Sequence, residues 1–190
     1  MARKALAAGA HVINDVTALR GDPDMAAVVR DFRAGVVLMH MQGTPATMQL
    51  APAYTDVVAE VTAFLEARLQ AALDLGIAGE QVVLDPGIGF GKTAGHNLEL
   101  LARLGHLRRL GRPVCLGVSR KGFLGRVLAR PLEGRLAGSL AAACFCLGRG
   151  AAQVLRVHDV AETRDAVTVY RALLGAADRP TAPRSEESSR

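Results

Sequence analysis

Gln81-Val82-Val83-Leu84-Asp85-Pro86-Gly87-Ile88-Gly89-Phe90-Gly91-Lys92 starts as an unbroken apolar run and ends as a glycine-rich loop opened by a carboxylate. The apolar part does not alternate with polar residues. That is the pattern of a short strand covered on both faces, as in a parallel sheet. Four further runs, 11–16, 36–41, 113–118 and 153–157, have the same character and are five or six residues long. The five runs start 25, 45, 32 and 40 residues apart. Such spacing leaves room for a crossover helix and is too long for hairpins. The chain therefore predicts an α/β fold of repeated strand–loop–helix units.

Helical patterns fill the intervals. Asp22-Pro23 predicts a start, with Asp22 as N-cap and Pro23 at the first helical position. A long helix is expected over 55–75, with Val58, Val61, Leu65, Leu69 and Ala72 as its apolar stripe and Gly76 as a left-handed cap. Two more are expected over 97–110, closed by Gly111 and Pro113, and over 134–147. The last starts at Asp159, with Glu162 placed as in a capping box, and fades near Leu174. The segment 175–190, rich in Pro, Ser and charge, is expected to be a disordered tail.

Composition narrows the class. Half of the 190 residues are hydrophobic and 22% are charged, which excludes a disordered, collagenous or low-complexity chain. Aromatics are 4% and Trp is absent, so no stacking platform for single-stranded nucleic acid is expected. Cys115, Cys144 and Cys146 have no metal-ligand spacing and read as small buried hydrophobes in a reducing compartment. Neither a signal peptide nor a membrane-length apolar run is found, so a cytoplasmic protein is expected. The net charge is +5, yet 101–135 alone carries +8. Most of those arginines read as solvated helix faces; Arg120 and Lys121 suggest a local anion site.

Polar residues gather where each strand ends, and in α/β folds those ends build the site. They are Asn14-Asp15, Met39-His40-Met41-Gln42-Gly43, the loop from Asp85 to Lys92, Ser119-Arg120-Lys121 and Arg156-Val157-His158-Asp159. Gly91-Lys92-Thr93 imitates the end of a phosphate-binding P-loop, but the required earlier glycine is Pro86. Asp85 can accept from adjacent ligand N–H groups, pair with a structural arginine, or cap its loop. Asn14 can read a mixed donor–acceptor edge or serve as a turn residue. Lys121, Arg156 and His158, with Ser119, form a set suited to an anion, the alternatives being a salt bridge for Arg156 and a helix contact for His158. Met39 and Phe90 wall a ring pocket or fill the core. His40 and His96 lack partners at metal spacing and read as structural.

These strings, in this order, resemble the dihydropteroate synthase family. The resemblance rests on Ile13-Asn14-Asp15-Val16-Thr17, Leu38-Met39-His40-Met41-Gln42-Gly43-Thr44-Pro45, Leu84 to Thr93, Ser119-Arg120-Lys121 and Arg156-Val157-His158-Asp159-Val160. It implies a (β/α)8 TIM barrel of which 1–174 holds about five C-terminal units, a partial pterin-binding barrel. The implied reaction joins 6-hydroxymethyl-7,8-dihydropterin pyrophosphate to p-aminobenzoate with Mg²⁺ and releases pyrophosphate. By the same resemblance Asn14 and Asp85 grip the pterin edge, and Lys121 contacts the pterin and frames the approach of p-aminobenzoate. Arg156 and His158 hold the departing pyrophosphate, while Met39, Phe90 and Ser119 line the pocket. Lys121, Arg156 and His158 are thus the expected catalytic residues. A homodimer is implied, with no nucleic-acid or membrane partner.

The family's Asn-Val-Thr-Pro-Asp-Ser-Phe-Ser-like strand, its Thr-Arg loop and a second strand-end aspartate are not found here. They supply the metal-contacting asparagine, so no metal ligand is expected in this chain. Ala2 to Ala10 resembles the end of the family's third helix, and a GTG valine codon called as a start would place Met1 there. A barrel typically needs about 250 residues, so open sheet edges and slow turnover are expected of these 190. Two alternatives are a pterin-binding remnant without turnover and a methyltransferase barrel using a methylated folate; the anion set speaks against the second.

Overall fold

Strands that follow one another in the chain also lie side by side in space. The computed structural model describes residues 1–177. Strands β1 (Val12–Asp15), β2 (Gly35–Met39) and β3 (Val82–Asp85) form a parallel sheet in that order. Strands β4 (Cys115–Leu116) and β5 (Val154–Leu155) form a parallel pair, and a parallel bridge from Leu84 to Val114 carries the ladder from β3 to β4. The order is therefore β1-β2-β3-β4-β5, all parallel, so every strand's C-terminal end emerges on one side. The last two strands are shorter than expected because the chain turns into loops beyond them. Backbone bonds still flank them, with Gln153 N donating to Val114 O and Arg156 N to Leu116 O.

The crossovers are helical. Helix α1 (Ala2–Ala7) precedes β1, α2 (Met25–Asp31) joins β1 to β2, and α3 (Val57–Asp74) joins β2 to β3. The N-cap of α3 is Asp56, whose carboxylate accepts from Val58 N and Ala59 N. Val58, Val61, Leu65 and Ala72 of its stripe are buried, and Gly76 takes the left-handed backbone expected of it, with φ +80°. Helix α4 (Ala94–Ala102) continues as a 3-10 turn over Leu104–Leu110 and stops at Gly111. Helix α6 (Leu136–Gly148) leads to β5, and α7 (Val160–Ala177) follows it.

Four expectations need correction. Helix α2 starts at Met25, because Asp22 Oδ1 accepts from Asp24 N and closes a turn around Pro23 first. Helix α5 (Gly122–Leu128) was not anticipated; seven residues are too few to show a helical period. Asp159 directs its carboxylate to Arg120 instead of to its own helix. Helix α7 runs to Ala177, past the expected end near Leu174; the rest of the expected tail, 178–190, lies outside the described residues.

Period-two alternation sorts the central strands. Val36, Leu38, Val82 and Leu84 point to the helices and are fully buried, in one core with Val61 and Leu65 of α3. The opposite face carries Asn14, Met39 and Asp85, and its central part is buried too. Cys115 and Cys146 are buried free thiols, pushed up to about 11 by burial; Cys144 is half-buried. Among the described residues no helix is long and apolar enough to cross a membrane. The outer edges of β1 and β5 pair with no described strand. Val12 and Val154 stand exposed there.

Leu84 sits at the middle of this ladder with none of its surface exposed. Leu84→Ala is expected to cost about 2–5 kcal/mol through lost burial and a residual cavity. Asp56→Ala is expected to cost about 1 kcal/mol through loss of the cap. Urea unfolding followed by circular dichroism measures both.

Candidate active site

Asp85 ends β3 with 1% of its surface exposed, so its charge has to be satisfied from within. Gly87 N donates to Oδ1 at 2.7 Å, and Arg156 Nη2 donates to Oδ2 at 3.3 Å. Burial pushes the Asp85 carboxyl above the usual range; the Gly87 bond and the charges of Arg156, Lys121 and Lys92 oppose that shift. Two of the alternatives open for Asp85, the loop cap and the arginine partner, are therefore realised together.

The register explains why Arg156 can reach it. Met39 pairs with Asp85, and the bridge from Leu84 to Val114 sets Cys115 beside Asp85. Cys115 pairs with Val154, so alternation brings Gly117 and Arg156 to the same face. Gly117 leaves the guanidinium its space, since a Cβ there would lie 2.9 Å from Arg156 Nη2. Nothing in the sequence marked Gly117 as a site residue.

Phe90, Gly117, Ser119, Lys121, Arg156 and His158 line a cavity of about 250 Å³ at the strand ends. Five of the residues anticipated from sequence thus meet in one place. The Lys121 ammonium lies 4.1 Å from the centre of the Phe90 ring, a cation–π contact. Ser119 Oγ accepts from His158 N at 3.2 Å and lies 2.9 Å from His158 Nδ1, which ties the imidazole to the loop after β4. Lys121 also borders a second cavity of about 370 Å³, lined by Gln49, Asn97, Gly122 and Arg126 among others.

The other anticipated residues stand apart from that lining. Met39 is fully buried beside Asp85, and Asn14 is exposed on the same sheet face, farther along at β1. Asp15, next to Asn14, is buried and caps its own turn by accepting from Thr17 N and Leu19 N. Arg120 does not join Lys121 in an anion site. Its guanidinium is engaged by Asp159, and its left-handed backbone, φ +56°, turns Ser119 and Lys121 toward the cavity and Arg120 away. Ser139 Oγ accepts from Arg120 N, and Arg135 Nη1 donates to Arg120 O, which holds this strained position.

The two histidines read as structural sit in structural settings. His96 Nδ1 accepts from Thr93 N at the start of α4. His40 packs edge-on against Phe64 and lies 2.9 Å from Lys92 Nζ. Burial, reinforced by Lys92, lowers His40 to about 3, so its ring is neutral at pH 7. Lys92 itself is 3% exposed, and the sequence distinguishes it only by its place at the end of the glycine loop. Among the described residues no group of three His, Cys, Asp or Glu side chains could hold a metal ion.

Comparison with known proteins bears on this arrangement. The family model described as pterin binding enzyme matches residues 1–158. A dihydropteroate synthase of Escherichia coli is 43% identical over 174 residues, covering 92% of this chain and 61% of that enzyme. One from Synechocystis is 42% identical over 161 residues, covering 84% of this chain and 55% of the relative. The chain therefore spans less than two thirds of these relatives. The structure of Yersinia pestis dihydropteroate synthase with a sulfonamide drug complex superposes with a TM-score of 0.88 at 38% identity, over 92% of this chain and 63% of that one. That of the Xanthomonas albilineans enzyme with 7,8-dihydropteroate gives 0.85 at 48% identity, over 94% and 64%.

His40 also makes stability depend on pH. Its pKa is about 3 folded against 6.5 as a free group, so below pH 6.5 the unfolded chain gains a proton that the folded chain refuses. Stability is expected to fall as pH drops from 6.5 toward 3. His40→Asn should flatten that limb by about one proton's slope. Urea midpoints taken between pH 4 and pH 7 test it.

Proposed function

Since this chain belongs to the pterin-binding enzyme family, we propose that its chemistry is that of a dihydropteroate synthase of folate biosynthesis. In that reaction the amine of p-aminobenzoate displaces pyrophosphate from 6-hydroxymethyl-7,8-dihydropterin pyrophosphate. A new C–N bond forms at the pterin methylene as its C–O bond breaks. The bonding pair leaves on the pyrophosphate, and the amine loses a proton. The observation that carries the proposal is the convergence of Phe90, Ser119, Lys121, Arg156 and His158 on one cavity beside buried Asp85.

Each group has a task that follows from its position. Asp85, acceptor-only when ionised, takes N–H groups of the pterin edge, and Asn14 reads the same edge. Met39 and Phe90 flank the ring. Arg156 is 40% exposed along its side chain, so it can turn from Asp85 to the pyrophosphate as the pterin N–H groups replace it. Lys121 and His158 add fixed donors. Charge grows on the departing pyrophosphate in the transition state, so cations held around it lower the barrier. The resemblance also implies Mg²⁺. Among the described residues no group of three His, Cys, Asp or Glu side chains forms a cage for it.

The finer architecture belongs to the same proposal. The five parallel strands and their helices correspond to five units of an eight-unit TIM barrel, which the consecutive strand order supports. A homodimer in the cytoplasm, with no nucleic-acid or membrane partner, completes it. Exposed Phe145, Val169 and Leu173 on α6 and α7 offer apolar surface for self-association.

Titration calorimetry with the pterin pyrophosphate is expected to show saturable binding. Asp85→Asn should weaken it about 10- to 100-fold, the cost of charge-assisted hydrogen bonds. Arg156→Ala and Lys121→Ala should weaken binding of pyrophosphate itself. Absence of pterin binding by the folded wild-type chain would refute the proposal. An assay for dihydropteroate, with p-aminobenzoate added, separates turnover from a binding role without turnover.

A further inference from the structure

We propose that Lys92 is a positioning residue, whose amino group ties the glycine loop after β3 to the chain after β2 and so holds Asp85 and Phe90 in the geometry a pterin requires. The ligand in this proposal comes from the function proposed above; the tie does not.

A lysine with 3% exposure is unusual unless its charge is partnered. Here the partners are not carboxylates. Lys92 Nζ donates to Gly87 O at 3.0 Å and to Phe90 O at 3.0 Å, and lies 2.9 Å from His40 Nδ1. An ammonium has no lone pair, so in that state the ring nitrogen accepts and the His40 proton sits on Nε2. One amino group therefore joins both shoulders of Phe90's loop to a residue that directly follows β2.

The loop needs such an anchor. Gly87, Gly89 and Gly91 all have positive φ, and along this path the carbonyls of Gly87 and Phe90 face the buried Lys92 amino group. A buried carbonyl without a donor is costly. The loop also passes very close to its neighbour, since a Cβ on Gly87 would collide with His40 O and one on Gly91 with Gln42 O. From the outside Gly89 is held by Gln49 Nε2, which donates to its carbonyl, and by Asn97 Oδ1, which accepts from its N–H. On the inner side Phe90 N also donates to Gly87 O, and Lys92 adds a second donor to Gly87 O and supplies one to Phe90 O. Gly87, held by Lys92 through its carbonyl, donates its own N–H to Asp85 Oδ1, so displacement of the amino group reaches the carboxylate through one residue.

Lys92 also acts through charge. The groups that face Asp85 are Arg156 directly after β5, Lys121 from the loop after β4, and Lys92, each favouring its ionised form. Lys92 in turn faces Asp85, Lys121 and His40, and burial lowers it to about 7. Without its charge Asp85 should hold its proton to a higher pH.

Lys92→Met in the full chain tests this with three readouts. Hydrogen exchange of the Gly87 and Phe90 amides should lose protection by about tenfold or more, while those of Val37 and Leu38 in β2 change much less. Affinity for the pterin pyrophosphate should fall about tenfold. The acid limb of that binding should move to higher pH by about half a unit. Uniform loss of protection across β2 and the loop, or an unmoved acid limb, would reduce Lys92 to a general stabilising residue and overturn the proposal. If the variant does not fold, His40→Leu, whose side chain offers Lys92 no acceptor, decides. It leaves the amino group its two carbonyls and removes the tie to β2, so loop protection should fall about threefold; an unchanged loop overturns the tie. If the wild-type chain binds no pterin, the functional proposal fails, and the exchange data still decide the role of Lys92.

Discussion

The buried charge of Asp85 is the constraint around which this half of the molecule is organised. A carboxylate at the end of a central strand, almost without exposure, is tolerated only where donors are fixed in place. Gly87 N, on the loop that follows, supplies one donor within two residues. Arg156, seventy-one positions away, supplies the other, and it gets there because β3, β4 and β5 are neighbours in register. The demand for these donors and the parallel ladder are two sides of one arrangement. The ladder delivers every strand end to the same rim, and the carboxylate gives that rim its polarity.

Around it, two kinds of tie hold mobile chemistry on a rigid frame. The glycine loop follows a path that side chains would block, and Lys92 satisfies the carbonyls that this path turns inward. On the far side Arg120 accepts a left-handed backbone and is held by Asp159, Ser139 and Arg135. Its strained turn aims Ser119 and Lys121 at the cavity. The two ties act on the loops that line one pocket, one by a buried cation on carbonyls and the other by a half-buried ion pair on a kinked chain. Phe90 and Lys121, which touch across the pocket, are the outcome of both.

Much of this was legible in the residues. The unbroken apolar runs marked five strands, and their spacing marked parallel crossovers. Polar strand ends marked Asp85, Ser119, Lys121, Arg156 and His158, all of which meet in the structure. What was hidden had no local signal. Gly117 matters through the guanidinium of a residue thirty-nine positions on, and an isolated glycine between two strand-like residues announces nothing. Arg120 stood beside Lys121 in the sequence and looked like part of the same cation set. Its direction is set by φ and by Asp159, neither of which adjacency encodes. Helix α5 was too short for its period to show.

The sequence alone determined what depends on periodicity and on residue chemistry: an α/β chain of parallel strands, the long capped helix α3, and the polar and cationic groups that close the strand ends. Those properties are carried by neighbours a few positions apart, so one stretch of chain suffices to state them. Only the tertiary structure decided which cation serves which partner. Arg156 went to the buried carboxylate, Arg120 to the half-buried Asp159, and Lys92 to the inside of a loop. Charges act through space with little regard to chain order, so these choices follow from register and burial, which exist only once the strands have paired.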